Sequence, residues 1–250
     1  KIIKILANKD ALFNADGSTN LVSTNRVLGQ SVPFLGEFGI SRNPESFANY
    51  GYRIYFTDKD RNAVLRLSED GLTDISKTGM STYFRDSFKT ATTLIGSYDE
   101  DKRNYNLTMS TETVSFSEDV KGWTSRKSFI PESGLSMDNG YYTFKTGRMW
   151  LHGENELRNN FYAVQYADGS SVDFILNLSP SVVKTFKTLN YEGTIGWTAN
   201  TIETDLMSGK VLEFVEKEGL WFNYIKGIAT TATNLDSKQF STQGLSIIPA

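Results

Sequence analysis

Short segments in which apolar and polar residues alternate dominate this sequence, and turn-forming pairs such as Asp-Gly and Asn-Gly separate them. Alternation with a period of two is typical of β-strands, and these dipeptides favour the tight turns of hairpins. The pattern therefore predicts an all-β protein of mostly antiparallel hairpins. No exact internal repeat accompanies the turns, so a β-propeller-like fold and a β-sandwich both stay open.

The clearest hairpin is predicted at YRIYFT and AVLRLS, with strands near 52–57 and 63–68 joined by DKDRN. A second is predicted around the charged segment DEDKRN at 99–104, and a third around Thr146-Gly147. FYAVQY and SVDFILN flank Asp168-Gly169 and predict a further hairpin. The segments VVKTFKTLNYEG, IGWTANTIE, KVLEFV and LWFNYIKG make the C-terminal half rich in strands as well.

Three segments interrupt the alternation. Met80, Tyr83, Phe84 and Phe88 recur at helical spacing and predict one short helix near 80–90. Residues 29–51 contain several glycines and two prolines, and they predict an ordered loop of the kind that often forms contact surfaces. Residues 228–250 lose the alternation and are expected to form an extended tail that reaches a neighbour.

The domain organisation expected from these patterns is one β-rich structural domain over 1–250, with a subdivision near 110–130. The chain begins with Lys1 in the strand-like run KIIKIL. We therefore expect it to be a fragment of a longer polypeptide. An unpaired edge at Lys1 and the apolar residues of the Pro33–Tyr50 loop and of Ile247 and Ile248 predict association with other chains.

Composition excludes several kinds of site. The sequence has no cysteine, a single histidine and a formal net charge of −3 without a basic stripe. A disulfide framework and a thiolate metal site are therefore excluded, and direct binding of nucleic acid is not expected. No apolar run reaches the length that a bilayer requires, so we expect no membrane partner.

Residues that could carry chemistry are few. His152 is the only histidine, and no Gly-x-Ser-x-Gly turn supplies a nucleophile, so we expect His152 to be structural. The segment from Asp58 to Glu69 places oxygen-bearing side chains where a calcium loop has them, but Ala63 replaces the required glycine. Four tryptophans could bind glycans if they were exposed: Trp123, Trp150, Trp197 and Trp221. The sequence predicts no catalytic, cofactor-binding or metal-binding residue.

Several long blocks resemble the large virion structural proteins of marine and gut tailed bacteriophages, including crAss-like phages. They are NPESFANYGYRIYFTDKDRNAVLRLSEDGLTDISKTGMSTYFRD, IGSYDEDKRNYNLTM, TVSFSEDVKGWTSRKSFIPESGLSMDNGYYTFKTGRMW, SPSVVKTFKTLNYEG and EKEGLWFNYIKG, which together cover most of 43–227.

This resemblance implies a non-enzymatic component of the tail or neck-to-tail assembly, with a propeller-like β-domain of the nozzle type. It also implies that the chain lies in the virion and contacts other virion proteins and copies of itself, in a ring-like homo-oligomer. The alternative is a glycan- or receptor-binding β module of a phage or bacterial surface.

Overall fold

The structure is a computed structural model, and it describes residues 1–13, 18–166, 169–176, 178–184, 186–204 and 208–227. Contacts divide the chain into two compact units, Lys1–Ser171 and Val172–Ala250. Residues 110–130, where a subdivision is predicted, lie within the first unit. The predicted tail at 228–250 lies outside the described residues.

Antiparallel strands and one α-helix make up the described part of the first unit. Three short 3₁₀ helices also occur, at Pro44–Ser46, Lys59–Arg61 and Ile75–Lys77. The helix is α1 (Ser81–Thr90), as predicted for 80–90. The strands are β1 (Ile3–Phe13), β2 (Thr19–Pro33), β3 (Ala48–Tyr50), β4 (Arg53–Asp58), β5 (Ala63–Ser68), β6 (Gly71–Asp74), β7 (Ile95–Asp99), β8 (Asn104–Thr108), β9 (Thr113–Ser117), β10 (Gly122–Lys127), β11 (Ser133–Met137), β12 (Gly140–Lys145), β13 (Arg148–Leu151), β14 (Asn160–Phe161) and β15 (Val164–Gln165).

Neighbouring strands in these sheets are mostly consecutive in the chain. The strand orders are β1-β2, β3-β4-β5-β6, β10-β9-β8-β7, β11-β12-β13 and β14-β15. The hairpin predicted at 52–68 is confirmed as β4 and β5, whose register pairs Asp58 with Ala63. The hairpin predicted around 99–104 is confirmed as β7 and β8.

The main core lies between the two four-stranded sheets and α1. Tyr55 and Val64 enter it from the β3–β6 sheet, Tyr105 from the β7–β10 sheet and Phe84 from the helix. The opposite face of the β3–β6 sheet is also buried, because Ile2, Phe38 and Ile40 cover its second cluster, which consists of Phe56, Ala63 and Leu65.

The second unit contains two three-stranded sheets among its described residues. Its strands are β16 (Thr188–Tyr191), β17 (Ala199–Glu203), β18 (Ser208–Val211), β19 (Val215–Lys217), β20 (Leu220–Tyr224) and β21 (Lys226–Gly227), in the orders β16-β20-β19 and β17-β18-β21. A small core of Leu189, Val211 and Ile225 is surrounded by partly buried apolar side chains.

The all-β class with one short helix is therefore confirmed, but no propeller is seen in the described part of the chain. A propeller requires four-stranded sheets repeated around an axis. Here, of the described sheets, only β3–β6 and β7–β10 have four strands, and a shared core that includes α1 packs against both. The propeller-like alternative is thus not supported by this architecture.

The hairpin predicted around Asp168-Gly169 is wrong in its position. Asp168 lies outside the described residues, and 171–176 form no strand. The hairpin instead turns at Tyr162 and Ala163, which both have positive φ, and it pairs Phe161 with Val164. Ring contacts hold it there, since Phe161 lies 5.2 Å from Phe129 between ring centroids.

Candidate functional site

His152 follows β13 and packs inside a group of aromatic rings. Its ring centroid lies 4.7 Å from that of Phe129 and 5.1 Å from that of Tyr141. Burial, with the charges of Lys127 and Lys102, lowers the pKa of His152 to about 4. The imidazole is therefore neutral at pH 7.

The polar contact of His152 is with a hydroxyl that solvent does not reach. Its Nε2 lies 2.7 Å from Oγ1 of Thr143, which is also 3.0 Å from the Tyr162 hydroxyl. A threonine beside a histidine resembles a nucleophile with its base. Thr143 is, however, fully buried on β12, so a substrate has no route to the hydroxyl. The arrangement fits the structural role predicted for His152.

A buried polar layer lies on the face of the β7–β10 sheet that points away from the main core. The Lys127 amine donates to Oδ1 of Asn106 at 3.2 Å, and the Ser115 hydroxyl donates to the same oxygen at 2.6 Å. Burial lowers the pKa of Lys127 to about 8. The Ser97 hydroxyl meets the Tyr141 hydroxyl at 2.7 Å. The bond from Ser97 to Tyr141 joins this sheet to the β11–β13 sheet, whereas the bonds to Asn106 lie within the β7–β10 sheet.

Asp58 does not present a free carboxylate at the predicted calcium loop. Its Oδ1 accepts from the Arg61 backbone N–H at 3.2 Å, and its Oδ2 accepts from the Gly39 backbone N–H at 2.9 Å. The Asp58 carboxylate therefore caps a 3₁₀ turn and also binds the backbone N–H of Gly39. Elsewhere among the described residues, no three His, Asp or Glu side chains lie close enough together to hold a metal ion.

Three of the four tryptophans pack on aromatic rings of their own unit, and the fourth is exposed. Trp123 packs on Phe84 and Phe116 in the main core, and its Nε1 donates to the Ile75 carbonyl at 3.0 Å. Trp150 packs edge-on against Tyr162. In the second unit, Trp221 stacks on Tyr191, and Trp197 is exposed.

The β1–β2 hairpin of the first unit, which we call the arm (Ile3–Pro33), exposes many apolar side chains. No other described helix or strand packs extensively on either of its strands. Six of its large apolar side chains are 53–74% exposed: Ile3, Ile5, Leu12, Leu21, Val27 and Leu28. Leu12 pairs with Asn20 and Leu21 pairs with Ala11, so these two leucines lie on opposite faces of the arm and both faces carry apolar side chains.

The arm was only partly foreseen from the sequence. The run KIIKIL predicts β1. Residues 19–28 carry Ser, Thr and Asn without regular alternation, so the sequence does not predict the strand that they form. β1 pairs with β2 on one side, and each strand leaves its other side as a sheet edge. A pairing partner for Ile3–Phe13 is thus present within the chain, although no further described strand pairs with either outer edge.

The loop that follows the arm places its apolar residues unequally. Phe38 packs on the cluster around Phe56, and Tyr50 stacks on Tyr98 with 4.3 Å between ring centroids. Leu35 and Phe47 are exposed instead. Phe38 and Tyr50 therefore pack within the chain, whereas Leu35 and Phe47 remain available for contacts with other chains, which stay a prediction.

An exposed sheet edge also occurs in the second unit. β19 is the last described strand of its sheet, and its residues Val215, Glu216 and Lys217 are all exposed. Glu213 and Glu218 flank the strand and are exposed too. We call Leu212–Glu218 the acidic edge. It combines two exposed apolar side chains, Leu212 and Val215, with three carboxylates.

No helix among the described residues is both long enough and apolar enough to cross a membrane.

Comparison with known proteins identifies one relationship. A search of curated proteins finds no match. Residues 156–227 match the family model described as the Crassvirus muzzle protein C-terminal domain. The matched segment is under a third of the chain, and it includes the end of the first unit and all of the described second unit. In this segment the chain is similar to a virion protein of crAss-like phages, and the match supports that class without specifying a position in the particle.

Proposed function

We propose that this chain is a structural subunit of the tail or neck-to-tail assembly of a crAss-like phage virion. It acts through contacts with copies of itself and with other virion proteins, and it catalyses no reaction. The single observation that carries the proposal is the match of 156–227 to the Crassvirus muzzle protein C-terminal domain.

The exposed surfaces support the same role. A two-stranded hairpin that is isolated from other strands has marginal stability in water, and exposed strand edges promote pairing with other chains. The arm has both properties, and the acidic edge has the second. A subunit of an assembly can cover such surfaces with neighbouring subunits.

The interior supports a structural role as well. Some polar groups resemble catalytic residues, but they form hydrogen bonds with each other in buried positions. Thr143 and His152 are an example. The glycan-binding alternative receives less support, because Trp123, Trp150 and Trp221 pack on rings of their own unit.

Immunogold electron microscopy of purified virions tests the position in the particle. Antibodies are raised against the recombinant chain, and antibodies against the major capsid protein of the same phage serve as the control. We expect gold particles at one vertex, on the tail or at its junction with the capsid. Labelling over the whole capsid, or no labelling of particles that the control antibody marks, would overturn the proposal.

A further inference from the structure

The arm exposes both apolar and positively charged side chains. Its apolar side chains are exposed on both faces, and its exposed charged side chains include Lys4, Lys9 and Arg26. None of the described acidic side chains lies within 4.0 Å of these three charges. Two arms placed against each other would bring like charges together, which disfavours a symmetric contact between arms.

The acidic edge has the complementary chemistry. Glu213, Glu216 and Glu218 are exposed and take part in no ion pair with the described basic groups, while Lys217 is the single positive charge among them. Val215 is 58% exposed on the outer strand β19. Backbone groups on the outer side of an edge strand can form hydrogen bonds with an added strand.

We propose that the arm of one copy docks on the acidic edge of a second copy by adding a strand next to β19. The lysines and the arginine of the arm then face the glutamates, and the apolar side chains of the arm cover Leu212 and Val215. This inference rests on the proposed function, because it supplies the contact by which copies would assemble.

The two surfaces differ, so the contact is head-to-tail. Each copy offers one arm and one acidic edge, and a contact of this kind generates a ring if the rotation closes and an open chain if it does not. A second copy is the occupant favoured over an unrelated protein, since one chain carries both halves of a complementary pair in charge and in apolar content.

Charge reversal in the 250-residue chain tests the contact. The arm variant is Lys4→Glu/Lys9→Glu/Arg26→Glu, and the edge variant is Glu213→Lys/Glu216→Lys/Glu218→Lys. Sedimentation velocity over a concentration series measures association at 0.15 M salt. We expect the wild-type chain to associate and each variant to associate at least about tenfold more weakly.

Mixing the two variants separates contacts between chains from contacts within one chain. The reversed arm of one variant fits the reversed edge of the other, so an equimolar mixture should associate within about threefold of wild type. A chain that carries both sets of changes should recover association as well. The matched control is Arg42→Glu/Lys121→Glu/Arg148→Glu, which changes the net charge equally at exposed positions of the first unit and should associate like wild type.

The outcomes distinguish this inference from the proposed function. If wild type associates and both variants associate equally well, the arm contact is wrong while a structural role in the virion stands. If the wild-type chain stays monomeric at about 0.1 mM, well above the dissociation constant of a stable specific contact, self-assembly through the arm is excluded. The position in the particle is then still decided by immunogold labelling. Circular dichroism confirms that each variant is folded.

Discussion

The Tyr55 hydroxyl, on β4, donates a hydrogen bond of 2.6 Å to Oε1 of Glu118, which follows β9. The second oxygen of Glu118 accepts from Nη1 of Arg66, on β5, at 2.8 Å. Burial and the adjacent carboxylate raise the pKa of Tyr55 well above its usual range, so the phenol stays protonated as the donor. One carboxylate thus joins the two four-stranded sheets through two neighbouring strands.

Glu118→Gln should lower the free energy of unfolding by about 2–3 kcal/mol, because charge-assisted bonds to two partly buried donors are weakened together. Tyr55→Phe should lower it by about 1–2 kcal/mol. The double variant should lose less than the sum, since both changes remove one shared bond. Urea unfolding measures all three.

Arg53→Ala is the control for that network. Its Nε lies 3.8 Å from Glu118 and its side chain is 44% exposed, so solvent screens the pair. The expected loss is below about 0.5 kcal/mol. Fully additive effects of Glu118→Gln and Tyr55→Phe would show that the hydrogen bond contributes nothing of its own.

Gly96→Ala should be strongly destabilising. Gly96 lies on β7 against the 3₁₀ helix at Pro44–Ser46, and a Cβ at this position would overlap the Ser46 carbonyl oxygen and come within 2.6 Å of the carbonyl carbon. This carbonyl also accepts from the buried Tyr105 hydroxyl at 2.8 Å, so it cannot move freely. We expect a loss of about 3 kcal/mol or more, measured by thermal unfolding.

The matched control for Gly96 is Gly122→Ala on β10. A Cβ there would lie 3.7 Å from its nearest neighbour, the Val120 carbonyl oxygen. The change should alter stability by less than about 1 kcal/mol. Equal effects at the two glycines would contradict the close approach of β7 to Ser46.

His152 should make the protein less stable as the pH falls from neutral to acid. The unfolded chain binds a proton at this residue below about pH 6.5, whereas the folded chain does so only near the lowered pKa of about 4. The stabilisation is therefore complete above pH 6.5 and is lost as the pH falls to 4. A fully buried imidazole would lose about 3 kcal/mol, and solvent around this half-buried ring reduces that to about 1–2 kcal/mol.

Urea unfolding at pH 7, 5.5 and 4 measures this dependence for wild type and for His152→Gln. The glutamine variant should show a smaller fall, because its side chain does not titrate. At pH 7 it should remain folded and associate like wild type, in keeping with a structural role. Identical pH profiles for the two proteins would show that His152 is not protected from protons in the folded state.

Chelation should leave the melting temperature unchanged, whereas removal of the Asp58 carboxylate should lower stability. Asp58→Ala leaves the Gly39 and Arg61 backbone donors without their partner and should cost about 2–4 kcal/mol. Asp60→Ala is the control, because Asp60 is exposed beside it and should cost less than about 0.5 kcal/mol. A calcium loop would behave differently, with EDTA lowering the melting temperature by many degrees and Asp60→Ala acting like Asp58→Ala.

Local sequence predicts the hairpins whose strands face a core that they help to build. YRIYFT and AVLRLS alternate, their turn contains Asp and Asn, and β4 and β5 lie where this pattern places them. Phe84 and Phe88, spaced for a helix, are the residues that α1 buries. Pattern and burial agree in both cases, so the prediction needs no information about distant residues.

Prediction fails where a distant segment decides the environment. On β8 and β9, Asn106, Thr113 and Ser115 alternate with apolar residues, a pattern usually associated with a face in water. They are buried, because Tyr141, Lys127 and the Phe129 carbonyl approach that face from later in the chain. The arm and the acidic edge could not be predicted from the sequence either. The apolar residues of β2 do not form one continuous face, and the position of β19 at a sheet edge depends on which strand pairs with β20.

The matched segment 156–227 includes the hairpin β14–β15. That hairpin belongs to the first unit, where Phe161 packs on Phe129, which lies outside the matched segment. If recombination joined this segment to another chain, Phe161 would lose its contact with the Phe129 ring. A receiving protein would therefore have to supply an equivalent aromatic ring next to the transferred segment. Relatives that share the segment should vary together at these two positions, even where the rest of their first units has diverged.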